Sequence, residues 1–328
     1  TNEIDVELQT ELKKFHSDLY AIANLKHPVS QYRQVCRIMK EGQYDAVYLN
    51  ISTAIDCIAA IAAKHSGVER RMIHSHSSGN DCESALKRNL FNGIHKLCRL
   101  FLYRYGTEFY GCSVKAGEWL FPKKIVNSSK FCVIHNAVDR EKYKYSVQKR
   151  EEIRGSMGIT DQFVIGHVGN FCYQKNHYFL LDVFEEVHKK DSNTVLLLAG
   201  DGVRFEKFRQ IVAEKNLEDV VKLLGRRSDT DYLYQGMDAF LLPSNFEGLP
   251  IAGIEAQSAG LPCFMSDEIT KESKITEACY FIPLKSGVKY WAEEILDNRM
   301  ERQSAEFLDN AEQYDLANQD QELKSLIR

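Results

Sequence analysis

The chain has 328 residues, of which 44% are hydrophobic and 27% charged, with a formal net charge of −4. That balance is near globular averages and excludes a disordered or fibrous protein, and the length accommodates two domains of ordinary size. No apolar run approaches the roughly 18 residues that a membrane-spanning helix requires, and the nine cysteines are scattered without a C-x-x-C pair, which argues against a zinc site or a disulfide framework and for a reduced, cytoplasmic compartment.

In chain order, a polar helix-like stretch, Ile4 to Phe15, comes first, and a strand is expected near Leu19–Ala23. Asp45–Leu49, Arg71–His74, Phe109–Cys112 and Phe131–Ile134 then read as short buried strands, separated by helical patterns at Thr53–Lys64, Glu83–Arg104 and Val114–Phe121. The second of these strands runs through MIHSHSSGN, Met72 to Asn80, and its period of two puts His74 and His76 on one side. Such a pair can contact a ligand, bind a metal or sit satisfied in the core, and no third metal ligand lies near it in sequence. The run Glu83 to Tyr105 sets Lys87, Arg88, Lys96, Arg99 and Arg104 beside Leu86, Leu90, Phe91, Ile94, Leu97, Phe101 and Leu102. An interfacial membrane helix has this pattern, and so has an ordinary amphipathic domain helix.

The charged stretch Asp139–Gly158 separates the halves. Beyond it, Phe163–Val168, Thr194–Ala199, Val220–Leu223, Ala239–Leu242 and Pro262–Met265 read as strands, with a helix after each of the first four. Strand–helix alternation repeated twice predicts an α/β protein with two doubly wound parallel sheets and helices on both faces of each. The expected domains are residues 1–149 and 150–312, with a C-terminal helix over 313–328 crossing back to the first. Residues 1–150 carry 23 Lys and Arg against 15 Asp and Glu, whereas residues 151–328 carry 19 against 31. A basic front half suits approach to an anionic surface, and no nucleic-acid recognition motif accompanies the charge.

Ligands of open parallel sheets bind beyond the carboxyl ends of the strands, and each second-half motif falls there. GNFCYQKNH, Gly169 to His177, supplies a glycine turn and Lys175, with Asn176 expected to cap the helix His177–His188. AGDG, Ala199 to Gly202, is a tight turn of low specificity. LLGRRSD, Leu223 to Asp229, brings Arg226 and Arg227, either as site residues or as surface charges. Asp229-Thr-Asp231 has the D-x-D form of a metal site but precedes the helix Asp231–Gln235, where acids favour the first turn. The most informative string is FEGLPIAGIEAQSAGLP, Phe246 to Pro262, in which Glu247 and Glu255 flank a loop-to-helix junction. Pro250 suits the first helical position, and Gly260 with Pro262 reads as the stop. The N–H groups of Ile251, Ala252 and Gly253 make a positive helix start suited to an anion. Glu255, among small and apolar neighbours, either faces solvent or has a dedicated partner.

Together these strings resemble the retaining, family-four type of GT-B glycosyltransferases (glycosyl transferases group 1), and among them most closely those of bacterial capsular and exopolysaccharide assembly. The resemblance covers most of the chain, with its specific motifs between Gly166 and Pro262. It implies two Rossmann-like domains facing a cleft, a nucleotide-diphosphate sugar as donor, and a glycan or lipid-linked acceptor. Glu247 would hold the transferred sugar and Glu255 the ribose. Gly169, Asn170, Lys175 and the Gly248–Leu249–Ile251 helix start would face the diphosphate, Arg226 the nucleobase, and His76 the sugar or acceptor. Many relatives carry arginine where this chain has Asn170, an amide that donates without charge and leaves Lys175 more of the electrostatic task. The resemblance implies retention of configuration; Lys175 and the helix start make a metal unnecessary, and no cofactor is expected. The expected place is cytoplasmic, from the cysteines, including the inner face of an anionic membrane, from the basic front half. The alternatives are a sugar-nucleotide epimerase of the same architecture, a metal-dependent transferase using Asp229 and Asp231, and a noncatalytic nucleotide-sugar-binding module. Relatives begin with a strand, a glycine-rich loop, a helix and another strand, and no such loop precedes Ile4. The chain is therefore expected to be a fragment or trimmed form lacking those N-terminal strands, with unpaired edges between the Leu19 and Asp45 strands and weak or absent transfer.

Overall fold

A computed structural model describes residues 6–327, which cluster into two units. The first comprises the chain up to His76 together with Leu90–Val133; the second comprises Ser77–Asn89 and the chain from Ile134 onward.

The first unit is built on four parallel strands in sequential order: β1 (Ala46–Ile51), β2 (Arg70–Ser75), β3 (Glu108–Gly111) and β4 (Phe131–Val133). Leu49 faces Ile73, Ile73 faces Phe109, and Phe109 faces Phe131 across the ladder. Those side chains join Leu102, Leu120 and Phe121 in one core. Of the helix expected over Ile4–Phe15, Val6–Lys13 is helical and Ile4 lies outside the described residues. The strand expected at Leu19–Ala23 does not form. Tyr20 and Ile22 are exposed, and the Ala23 N–H donates to the side chain of Gln34 instead of a strand neighbour. The four strands pair in sequence order with β1 at the edge of the sheet, so among the described residues the outer side of the Asp45 strand is unpaired, as expected, but no Leu19 strand stands beyond it. The helix expected from Thr53 starts only at Ile58, because His95 Nδ1 takes the Ala54 N–H and pairs with Thr53 Oγ1, fixing a turn there.

The second unit carries six parallel strands: β5 (Phe163–Val168), β6 (Thr194–Ala199), β7 (Val221–Leu223), β8 (Ala239–Leu242), β9 (Cys263–Ser266) and β10 (Cys279–Ile282). Their order, β10-β9-β8-β5-β6-β7, reverses direction between β5 and β8, the switch point at which open sheets take ligands. β6 and β8 are buried along their whole length, as expected of central strands covered on both faces. The core packs Leu180, Phe184 and Phe208 from the helices His177–Lys190 and Phe205–Glu214 against Ile165, Leu196 and Leu241. β10 is the strand the sequence did not announce: a single 3-10 turn, Lys271–Ser273, stands between it and β9 where the alternation calls for a helix.

Candidate functional site

The turns after β5 and β8 meet at the switch point and are knitted backbone to side chain. Asn245 N–H donates to Gln174 O, and Asn245 Nδ2 to Tyr173 O at 2.7 Å. Asn176 does not cap its helix; it sits in the left-handed region (φ 56°) with no side-chain cap bond. Its Nδ2 donates instead to Pro243 O at 3.1 Å, tying the glycine-rich turn to the end of β8. Glu247, 4% exposed, is the focus of this junction. Its Oε1 accepts from Lys175 Nζ at 2.7 Å and Ser244 Oγ at 2.8 Å, and its Oε2 accepts from Gln174 Nε2 at 2.8 Å. A carboxylate offers about four acceptor positions, so these donors leave room for about one more, such as a ligand hydroxyl.

Glu255 has dedicated partners, which removes the solvated alternative. Tyr143 donates to Oε1 at 2.7 Å and Tyr234 to Oε2 at 2.8 Å. Burial, and then the carboxylate, push both phenols above their usual range. The helix bearing Glu255 spans Ile251–Ser258, so Pro250 is the residue before the first turn, not its first member. Gly253 N–H is used within that turn, donating to Pro250 O, which corrects the expected trio of open donors to Ile251 and Ala252.

A cavity of about 860 Å³ opens beside Lys175, lined by Gly169, Asn170, Gln174, Gly200, Gly202 and Arg226 among others. Gly200 is needed for a physical reason: its φ is 146°, and a Cβ there would fall 2.0 Å from Gly169 O. Cys172 also lines the cavity, and burial pushes its thiol up to about 11, so it stays protonated near neutrality. Asp81 and Glu83, from the segment Ser77–Asn89, reach the same turn. Asp81 Oδ1 accepts from Gln174 N–H at 2.6 Å, and Glu83 accepts from Tyr173 N–H at 2.9 Å and from Arg204 Nε at 2.6 Å. Ser78 Oγ donates to Glu247 O, and the Arg88 guanidinium lies 3.6 Å from the Tyr173 ring centroid. These contacts make the segment a strap across the glycine-rich turn.

Beneath the turn lies His167 of β5, fully buried, with Nδ1 paired to Leu241 O at 2.8 Å and Nε2 without a partner. A carbonyl partner fixes the proton on Nδ1. Burial draws this imidazole down to about 3, and it lowers that of the neighbouring His177 as well, whose ring centroid is 4.7 Å away.

The structure thus gathers Gly169, Asn170, Lys175 and Arg226 on one cavity and bonds Lys175 to Glu247, while Gly248, Leu249, Ile251 and Glu255 follow on the next turn and helix. His76 belongs to the first unit, where its Nε2 pairs with Asn50 Oδ1 at 2.7 Å and its ring lies 4.1 Å from His74. Asp229 sits at the cap position of the helix Thr230–Gly236 without a side-chain cap bond. Arg227 grips it at 2.6 and 2.8 Å instead and holds its carboxyl below the usual range. Asp231 is flanked by Lys142 and Lys149, each at 3.6 Å. Sequence reasoning missed Gln174, which lies within the string Gly169 to His177, and Ser244, which falls between the strand Ala239–Leu242 and the string Phe246 to Pro262. It assigned no site role to Tyr143, Tyr234, Asp81, Glu83 or His167.

A doubly wound sheet with a glycine-rich turn, Lys175 and Glu247 at its switch point belongs to the open α/β architectures that hold ligands there, and comparison with known proteins narrows the class. The profile of the family "Glycosyl transferases group 1" matches residues 149–286. The Bacillus subtilis protein EpsF, whose name describes a glycosyltransferase, is 30% identical over 82% of this chain and 70% of its own length. The Staphylococcus aureus capsular polysaccharide biosynthesis glycosyltransferase CapH is 25% identical over 88% of this chain and 78% of its own. Among solved structures, Anabaena HepE in complex with UDP and glucose superposes with a TM-score of 0.75 over 98% of this chain and 88% of that one, at 17% identity, a likeness of fold. The chain belongs to the group 1 glycosyl transferases.

Proposed function

We propose that the protein transfers a sugar from a nucleotide-diphosphate donor, with UDP the first candidate carrier, to a glycan or lipid-linked acceptor in cell-surface polysaccharide assembly. Retention of configuration and independence of metal and cofactor are part of the same reading. The observation that carries it is the bonding of Lys175 to Glu247 at the switch point, shortly before a helix whose first-turn donors Ile251 and Ala252 have no backbone acceptor among the described residues. Breaking the anomeric bond concentrates negative charge on the leaving phosphate. Lys175 and the helix start stabilise that charge without reorganising, and one such fixed donor typically contributes about 3–4 kcal/mol. The sugar becomes oxocarbenium-like, and Glu247 holds it through its remaining acceptor position. The acceptor hydroxyl attacks on the face the phosphate leaves, and the phosphate takes its proton. Asp229 and Asp231, already neutralised by Arg227 and by two lysines, support a mechanism without a metal. The relatives give an epimerase reading no support.

The acceptor side is proposed to meet an anionic bilayer through the helix Ala85–Leu102. Leu86 (84% exposed), Leu90 (62%), Leu97 (62%) and Phe101 (51%) lie on one face of it. At about 100° per residue these four fall within an arc of roughly 60°, with exposed Lys87 and Lys96 on opposite flanks. The helix has no acidic residue.

The test of the donor site pairs titration calorimetry with UDP and product assays, each with and without excess chelator. Glu255→Ala is expected to weaken nucleotide binding, and Glu247→Ala to lower transfer by 10²-fold or more (an order-of-magnitude figure) while binding persists. Parental behaviour of both variants would refute the site, and activity abolished by EDTA and restored by manganese would move the chemistry to Asp229 and Asp231.

A further inference from the structure

We infer that Tyr143 and Tyr234 form a clamp that makes Glu255 a selective receptor for the vicinal hydroxyls of a ribonucleotide. This rests on the reading of Glu255 as the ribose ligand and adds the residues that give it selectivity. The two phenols come from different elements, the one-turn helix Arg140–Tyr143 and the helix Thr230–Gly236. They reach opposite oxygens of one carboxylate, at 2.7 and 2.8 Å. Their rings pack edge to face, centroids 5.8 Å apart at 67°, so each fixes the other's hydroxyl. Tyr234 is completely buried and also approaches Ala252 O at 3.3 Å, which anchors the pair to the backbone of Glu255's own helix.

Three consequences follow from this geometry. First, a glutamate on a helix otherwise samples several rotamers, and two hydrogen bonds to opposite oxygens hold the carboxylate plane in one orientation before any ligand arrives. Second, the phenols use about two of about four acceptor positions, leaving one on each oxygen. Two fixed acceptors side by side match two adjacent hydroxyl donors. Third, phenols donate without bringing charge. No cation stands in ion-pair contact with Glu255 among the described residues, in contrast to Glu247 with Lys175. An unneutralised carboxylate attracts hydroxyl donors and repels phosphate, so it orients the donor with its diphosphate toward Lys175. Tyr143 and Tyr234 act through Glu255 and are positioning residues.

Tyr143→Phe removes one hydroxyl and keeps the ring packing. Affinities of the parent, Tyr143→Phe, Tyr234→Phe and Glu255→Ala are measured by calorimetry for UDP and for 2′-deoxy-UDP, with melting temperature and a kcat/KM split as controls. Should the parent bind another common nucleoside diphosphate more tightly, that nucleotide and its 2′-deoxy form serve as the pair. The expected result is a loss of roughly 3- to 10-fold for the ribonucleotide in Tyr143→Phe, with the deoxynucleotide unchanged, KM raised and kcat nearly constant. Equal losses for both nucleotides would show a merely structural role and overturn the clamp, as would no loss for either while Glu255→Ala binds weakly. If Tyr143→Phe fails to fold, Tyr234→Phe reads the same ratio. Unchanged binding by Glu255→Ala would instead overturn the ribose reading itself, and the clamp with it.

Discussion

His167 is a titratable group held out of reach of water. Its Nδ1–H is committed to Leu241 O, and burial lowers its pKa from an ordinary value near 6.5 to about 3. In the unfolded chain the same imidazole takes up a proton as pH falls through 6.5, so the unfolded state binds more protons and folding stability declines with acid from there toward 3. Between pH 7 and pH 5 one such group accounts for about 2 kcal/mol, and His177 acts in the same direction. His167→Phe, which keeps the parallel stacking against Phe240, is expected to reduce the slope of unfolding free energy against pH over that window. Urea titrations at pH 7, 6 and 5 measure it, and an unchanged slope would contradict the burial argument. His167 escaped the sequence reading because a histidine inside a buried strand looks like any other strand residue. Lys175 and Glu247 were legible because their chemistry sits in short strings beside glycines and prolines. Tyr143 was not, since its partner is 112 positions away and only the fold brings them together.

Among the elements, the strap Ser77–Asn89 does the least expected work. Its carboxylates cap backbone N–H groups of the glycine-rich turn at Tyr173 and Gln174, where the left-handed Asn176 prevents a regular helix start. Hydrogen bonds to a charged acceptor typically contribute about 1.5–3 kcal/mol. Asp81→Ala is therefore expected to speed amide exchange at Gln174 by about tenfold or more, with exchange in β5 unchanged. Equal protection in the variant would mean that the strap does not hold the turn. Strands of the second unit were legible from their apolar runs between turn residues. Leu19–Ala23 has a similar run but no neighbour to pair with, and propensity alone does not make a strand. Cys279–Ile282 was hidden because only a 3-10 turn, and no helical pattern, links it to β9.

For the whole molecule, the question is which surface meets the acceptor. If the helix Ala85–Leu102 lies on an anionic bilayer, sedimentation with phosphatidylglycerol vesicles should fall by roughly tenfold or more as salt rises from low to above physiological ionic strength. Leu90→Glu with Leu97→Glu should abolish binding without lowering the melting temperature, because both side chains are exposed. Equal binding to neutral vesicles would remove the electrostatic case. The basic bias of the front half was plain in the sequence; which residues face outward was not, because periodicity locates an apolar stripe without saying what covers it.

The second unit draws Ser77–Asn89 from between two stretches of the first, so it is not one continuous length of chain. Exchanging donor specificity between relatives by splicing at the charged stretch near residue 149 would therefore import a glycine-rich turn while keeping a foreign strap. Arg204 and the Tyr173 and Gln174 amides would then meet side chains they were not selected with. A functional chimera of this fold needs two crossovers more than its sheets suggest, and the strap must be inherited with the turn it holds.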